Sequence, residues 1–341
     1  MIRLGLIGCG EHSEGGHAIP LARYRAAHPG EIELTAACDL NLERAKLFCR
    51  QYGFIHAYRD MDEMLALSKL DGCITVMPVQ KISELGIKLL GLGIPCVVEK
   101  PLGASLAEAK ALLDVARATR TMNMVSVNRR FMPFLNRALE WTHNTGPLRY
   151  VRCTLTRHAR GEPEFLWATA VHAVDALRHI VGEIADAEIR GLGNARGSAE
   201  WYAINFSFEN GVSGRLDILP TAGMLEETYE LIGEGFRASV TCPFGPERGL
   251  RCFHENRLVL AESASESSPE DALNGCYDEA SEFIRALTVK TAARPSIEEV
   301  FPSVELCLTM AQCREENAGN NVAAKPDSIP SIPSRRPTVG N

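Results

Sequence analysis

The 341-residue sequence has no run of Lys and Arg that would neutralise phosphates, and its formal net charge is −7. No nucleic-acid partner is therefore expected, although single arginines and lysines can still hold small anions. No apolar stretch approaches the roughly 20 residues a membrane helix needs, so no membrane partner is expected either. No charged leader with an apolar core precedes the strand-like IRLGLIG that begins at Ile2, and no export signal is expected. No Cys-x-x-Cys pair occurs among the 11 cysteines. They lie in apolar strings such as AACDL and IPCVVEK. This predicts reduced core cysteines of a cytoplasmic protein, with no disulfide and no metal site.

The chain is too long for one ordinary core and about right for two domains. Over residues 1–125 short β-rich runs alternate with helical stretches, which implies a parallel sheet covered on both faces. IELTAACD reads as a strand ending at Asp39, LERAKLFCRQYG as a helix stopped by Gly53, and Ser105 with Glu108 as a capping box. From residue 126 to 322 the rhythm changes. PLRYVRCTLTRH is one long strand, and three later stretches carry Glu-Asn-Gly, Gly-Glu-Gly and His-Glu-Asn turns between alternating runs. They predict antiparallel hairpins of one large open sheet, followed by two closing helices. The Pro- and Ser-rich tail at 323–341 has no periodicity and is expected to be disordered or laid along the surface.

Gly8, Gly10 and Ser13 follow the first strand in G-x-G-x-x-G/A spacing, with Glu11 and His12 in the variable places and Ser in the third. Gly8 permits the tight turn, Gly10 lets backbone approach a pyrophosphate, and the helix that follows holds the anion by its N–H groups and dipole. Asp39 ends the second strand, 29 residues after Gly10, where about 20 is typical. A carboxylate there accepts both ribose hydroxyls and repels a 2′-phosphate. Leu40 and Asn41 follow it instead of Arg, so NAD is the expected cofactor. The alternative is that Asp39 only caps the next helix.

Glu99 and Lys100 end a buried strand before Pro101, at the edge where parallel sheets bind ligands. A partly dehydrated lysine there acquires the lowered pKa that proton transfer uses. A surface Glu-Lys pair is the other reading. EFLWATAVHAVDALRHIVGE puts His172 and Asp175 three residues apart in an otherwise buried helix, as a structural pair or as a site. Two ligands at that spacing make a poor metal site. Arg129 and Arg130 reach a substrate or sit in a solvated hinge. Arg157, His158 and Arg160 end the long strand, while Tyr277, Phe165 and Trp167 read first as packing, with an indole also able to stack on a sugar ring.

Glu99-Lys100-Pro101 after the strand-end Pro78, VNRRFMP at 127–133, HAVD at 172–175 and the closing YDEASEFIRAL and RPSIEEVFPSVELCLTMAQ together resemble the Gfo/Idh/MocA oxidoreductases. The resemblance covers about residues 1–320. It implies an N-terminal Rossmann fold, then an α/β domain whose large, mostly antiparallel open sheet mediates a homodimer or homotetramer. It implies hydride transfer between NAD and a sugar, polyol or related hydroxyl compound. Lys100 would contact the reacting hydroxyl and nicotinamide ribose, Pro78 and Glu99 would line the nicotinamide, and His172 would be the acid/base. The substrate side would draw on Lys100, Arg129, Arg157, Trp167, His172 and Asp175. Two places depart from the family pattern. Ala168 stands where many members carry an Asp, one helical turn before the His. Val79 and Ile82 stand where polar Asn and His are frequent, leaving Gln80 as a polar contact. The first departure keeps a non-redox net reaction through transient oxidation in view, beside a non-catalytic NAD-binding sensor.

Overall fold

The structure is a computed structural model and describes residues 1–193, 200–319 and 327–328. Two compact units divide the chain: Met1–Pro133 with Ser265–Leu306, and Phe134–Ala264 with the chain from Cys307 onward.

In the first unit, β1 (Ile2–Ile7), β2 (Ile32–Cys38), β3 (His56–Tyr58), β4 (Gly72–Thr75), β5 (Cys96–Glu99) and β6 (Asn123–Ser126) form one sheet. The order is β3-β2-β1-β4-β5-β6, and every pairing is parallel. Helices α1 (Glu11–Ser13), α2 (Ile19–Ala27), α3 (Leu42–Tyr52), α4 (Met61–Leu67), α5 (Val79–Gly91) and α6 (Leu106–Thr119) alternate with the strands, and a π-turn at Glu14–Ala18 joins α1 to α2. Local chemistry sets their ends. Asn41, Asp60 and Ser105 accept a backbone N–H at the starts of α3, α4 and α6, and Gly53 at φ 79° stops α3.

The second unit contains α7 (Pro133–Thr145), β7 (Leu148–Thr156), a π-turn at Phe165–Thr169, α8 (Val171–Val181), β8 (Ile184–Gly193), β9 (Trp201–Phe208), β10 (Ser213–Leu219), β11 (Glu226–Gly233), β12 (Phe236–Thr241), β13 (Gly249–His254) and β14 (Arg257–Ser263). The three expected turns close the β9–β10, β11–β12 and β13–β14 hairpins of a nine-stranded sheet. One pairing departs from the antiparallel rule: β10 runs parallel to β7 at the centre. Val151, Cys153 and Leu155 of β7 alternate inward, against α8, while neighbouring residues are more exposed. Within the predicted tail, β15 (Asp327–Ser328) pairs with β8; the rest of 323–341 lies outside the described residues.

The chain then adds α9 (Glu270–Leu273), α10 (Cys276–Val289) and α11 (Ile297–Gly319). α10, far beyond the expected boundary at residue 125, falls in the first unit. Phe283, Ile284 and Leu287 join one core with Leu4, Leu6, Ile74 and Val97. Burying such side chains stabilises by about 1.5–3 kcal/mol each. Gly72 permits the close approach: a Cβ there would sit 2.8 Å from Leu287. All eleven cysteines are free, ten of them buried. Among the described residues no helix is long and apolar enough to cross a membrane.

Candidate functional site

The turn after β1 requires glycine at position 8. Gly8 has φ 92°, and a Cβ would lie 1.9 Å from the Val76 carbonyl oxygen. A Cβ on Gly10 would meet no atom within 4 Å, so that backbone is open to a ligand. Ser13 is buried and its hydroxyl donates to the Gly8 carbonyl, which explains how Ser serves in the third place of the motif. The carboxylate of Asp39 accepts from Cys9 N at 3.0 Å and from Asn41 N at 2.8 Å. Asn41, not Asp39, caps α3, so Asp39 ties the strand end to the glycine loop. Sequence reading missed Arg44, whose Nη1 lies 3.5 Å from Asp39 in the first turn of α3.

Glu99 ends β5 and is only 4% exposed, which overturns the surface Glu-Lys reading for this residue. His17 Nε2 lies 2.8 Å from Glu99 Oε1, and His12 Nε2 lies 3.4 Å from the same oxygen. Burial pushes the Glu99 carboxyl up, but the hydrogen bonds from His12 and His17 outweigh it and hold it well below the usual carboxylate range. In return, the hydrogen bond with Glu99 raises the His12 imidazole above its ordinary value. The partly exposed Lys100 follows directly. Pro78 is exposed at the start of α5, whereas Ile82 packs inward at 3% exposure, so it does not face a ligand.

Arg129 is buried, with Nη1 donating to Asn128 Oδ1 at 2.9 Å, so it is no solvated hinge. On α10, Glu279 is 3% exposed and accepts from Ser126 Oγ at 2.9 Å. Burial pushes its carboxyl well up, the neighbouring Glu99 charge adds to this, and Ser126, the Val127 backbone and Arg129 oppose it. Tyr277 packs under the Arg23 guanidinium at 4.0 Å, a structural role as expected.

In the second unit, His172 and Asp175 sit on α8 at 8% and 0% exposure. Arg178 lies 4.0 Å from Asp175 and grips Glu183 at 2.5 Å. Ala168 falls in the π-turn before α8, and the wider turn breaks the regular one-turn spacing to His172 that the sequence suggests. Arg157 is buried against Glu227 at 3.2 Å, and Tyr229 donates to the same carboxylate at 2.5 Å. His158 lies 3.2 Å from the Gly223 carbonyl, and Arg160 pairs with Glu162. Phe165 is buried and Trp167 half-buried. His17, Arg44, Glu227 and Glu279 escaped sequence reading. A Gly15-Gly16 pair inside a helical stretch was the one local signal for His17.

The strand order, the glycine turn after β1 and the acid ending β2 define a dinucleotide-binding domain. Residues 2–128 match the Gfo/Idh/MocA family, described as an oxidoreductase family with an NAD-binding Rossmann fold. The chain is 28% identical over 172 residues to 4-carboxy-2-hydroxymuconate-6-semialdehyde dehydrogenase of Sphingobium sp., covering 46% of this chain and 53% of that protein. It is 23% identical over 148 residues to scyllo-inositol 2-dehydrogenase (NADP(+)) of Bacillus subtilis, covering 43% and 45%. The matches thus span about half the length of these curated relatives. The crystal structure of an oxidoreductase from Agrobacterium radiobacter, in complex with NAD+, L-tartaric acid and magnesium, shares the fold. Its TM-score is 0.77 at 18% identity, over 96% of this chain and 98% of that one.

Proposed function

We propose that the protein is an NAD-dependent dehydrogenase or reductase acting on a hydroxyl or keto group of a sugar, polyol or sugar derivative. One observation carries this reading: the glycine turn, Asp39 and Glu99-Lys100 follow the carboxyl ends of β1, β2 and β5, where an open parallel sheet binds ligands. The residues fit the cofactor. The Gly10 backbone is open, and the Asp39 oxygens keep lone pairs for ribose hydroxyls. A bound nicotinamide would supply the hydride acceptor or donor.

In this reading Gly8, Gly10, Glu11, His12 and Ser13 form the pyrophosphate loop. Asp39 selects the unphosphorylated ribose, with Arg44 held by its carboxylate. Pro78, Glu99 and Lys100 line the nicotinamide side. Lys100 and His172 are the residues assigned to the proton of the reacting hydroxyl. Trp167, like Lys100, is an accessible substrate-side residue. Arg129, Arg157 and Asp175 are buried and fix charge and shape behind the contact surface. The relatives' printed activities, a semialdehyde and an inositol dehydrogenase, support a carbonyl or hydroxyl substrate. An assembly through the open sheet, as a homodimer or homotetramer, belongs to the same reading.

The test is a screen of sugars, polyols, sugar acids and glycosides with NAD+, following NADH and product together. Lys100→Ala is expected to lower turnover by roughly 10²–10⁴-fold, the range of general acid–base catalysis, while NAD+ affinity is retained. Unchanged turnover would remove Lys100 from the chemistry. Ala168 favours a second reading, a non-redox net reaction with retained NAD. Product without net NADH would support it.

A further inference from the structure

Beside the Glu99 cluster lies a cavity of about 10 Å³ lined by His17, Leu21, Ile74, Val97, Glu279, Ala280 and Phe283. That volume holds about one water molecule. Two polar side chains border it. Glu279 Oε1 is buried and has no hydrogen-bond partner among the described residues, whereas Oε2 accepts from Ser126. His17 has given Nε2 to Glu99, which leaves Nδ1 as its remaining ring nitrogen. An orphaned buried carboxyl oxygen is destabilising, and a water with two polar partners removes that cost.

We propose that Glu279 is a positioning residue: through one water in this cavity it sets the tautomer of His17, and His17 in turn fixes Glu99 as a hydrogen-bonded anion at the nicotinamide end of the sheet. The proton positions balance. Ser126 Oγ–H donates to Glu279 Oε2, which is the carbonyl oxygen of a neutral acid. Glu279 Oε1–H donates to the water, and the water donates to His17 Nδ1. His17 Nε2–H then donates to Glu99 Oε1. No proton is left over, and His17 stays neutral. A second-sphere acid that selects an imidazole tautomer is a general device. The other charged or titratable groups facing the cluster are His12, Lys100, Arg129 and Cys276.

The consequence rests on the nicotinamide reading above. A fixed anion at Glu99 favours the cationic oxidised ring over the neutral reduced one. When the Glu279 link is lost, His17 is free to take a second proton and cancel that charge.

Two measurements test this on the full chain. The first needs no cofactor: ¹⁵N spectra of histidine-labelled protein, with His17 assigned by substitution. In the wild type and in Glu279→Gln, whose amide keeps a donor, His17 should be the neutral Nε2–H tautomer. In Glu279→Leu it should change tautomer or become protonated. An unchanged His17 in folded Glu279→Leu overturns the proposal. The second is the ratio of NADH to NAD+ dissociation constants by calorimetry. Glu279→Leu should shift it several-fold toward the reduced form, and Glu279→Gln should restore it. An equal ratio in all three proteins overturns the link to the cofactor. Wild type binding neither nucleotide would refute the dinucleotide reading and the cofactor link, while the spectra still decide the Glu279–His17 link.

Discussion

Replacing Glu279 by Gln should make the protein's stability less sensitive to pH, and the sign follows from burial. The carboxyl is 3% exposed and lies near the Glu99 anion, so its folded pKa is raised well above the ordinary 4.5. Between the unfolded and folded pKa the native state binds more protons than the unfolded chain. Stability therefore falls as pH rises through that window. The slope for one such group approaches 1.4 kcal/mol per pH unit. Gln cannot ionise, so the variant lacks this loss. As pH rises above the unfolded pKa, the difference between variant and wild type should grow in favour of Gln, by no more than about 1.4 kcal/mol per pH unit. Each kcal/mol of that difference should widen the melting difference by about 2–4 °C for a domain of this size. Other groups titrate in both proteins and largely cancel. Calorimetry or urea unfolding at pH 5 and pH 7 gives the answer. A difference that is constant between pH 5 and pH 7 would refute a neutral buried acid at this position.

Gly8→Ala should destabilise the first unit by about 2–4 kcal/mol and weaken NAD+ binding. The Cβ meets a backbone oxygen at 1.9 Å, and φ of 92° adds about 1–2 kcal/mol of strain. Unchanged melting and binding would show the turn is not as described. Glu227→Ala removes the carboxylate that faces the buried Arg157 guanidinium and should cost about 3–5 kcal/mol in urea unfolding, with Glu227→Gln costing less. Asp39→Ala should lose the contact to Cys9 N, free Arg44, and shift nucleotide preference toward NADP+ in paired titrations. A retained preference for NAD+ would move the selectivity elsewhere.

The architecture was legible because its signals are local and periodic. Buried parallel strands, turn residues and the capping Ser105 all lie within a few residues of the feature they set. The glycine loop and Glu99-Lys100 were legible for the same reason. What stayed hidden depends on distant partners. The partner that buries Glu99 was not legible, because His17 lies 82 residues away in sequence. Glu279 read as one acid in a closing helix, and only burial against Ser126 gives it a role. The return of α10 to the first unit was invisible because an apolar helix face does not name the sheet it covers. The spacing of Ala168 to His172 was not legible either: four residues equal one turn only in an α-helix, and this stretch is a π-turn.

The central claim is that Asp39 and the Gly8–Ser13 loop make this an NAD-binding enzyme domain, and titration calorimetry of the purified chain with NAD+ and NADP+ tests it most directly. One-site binding with NAD+ tighter than NADP+ is the predicted result. Binding of neither, or tighter binding of NADP+, would contradict it.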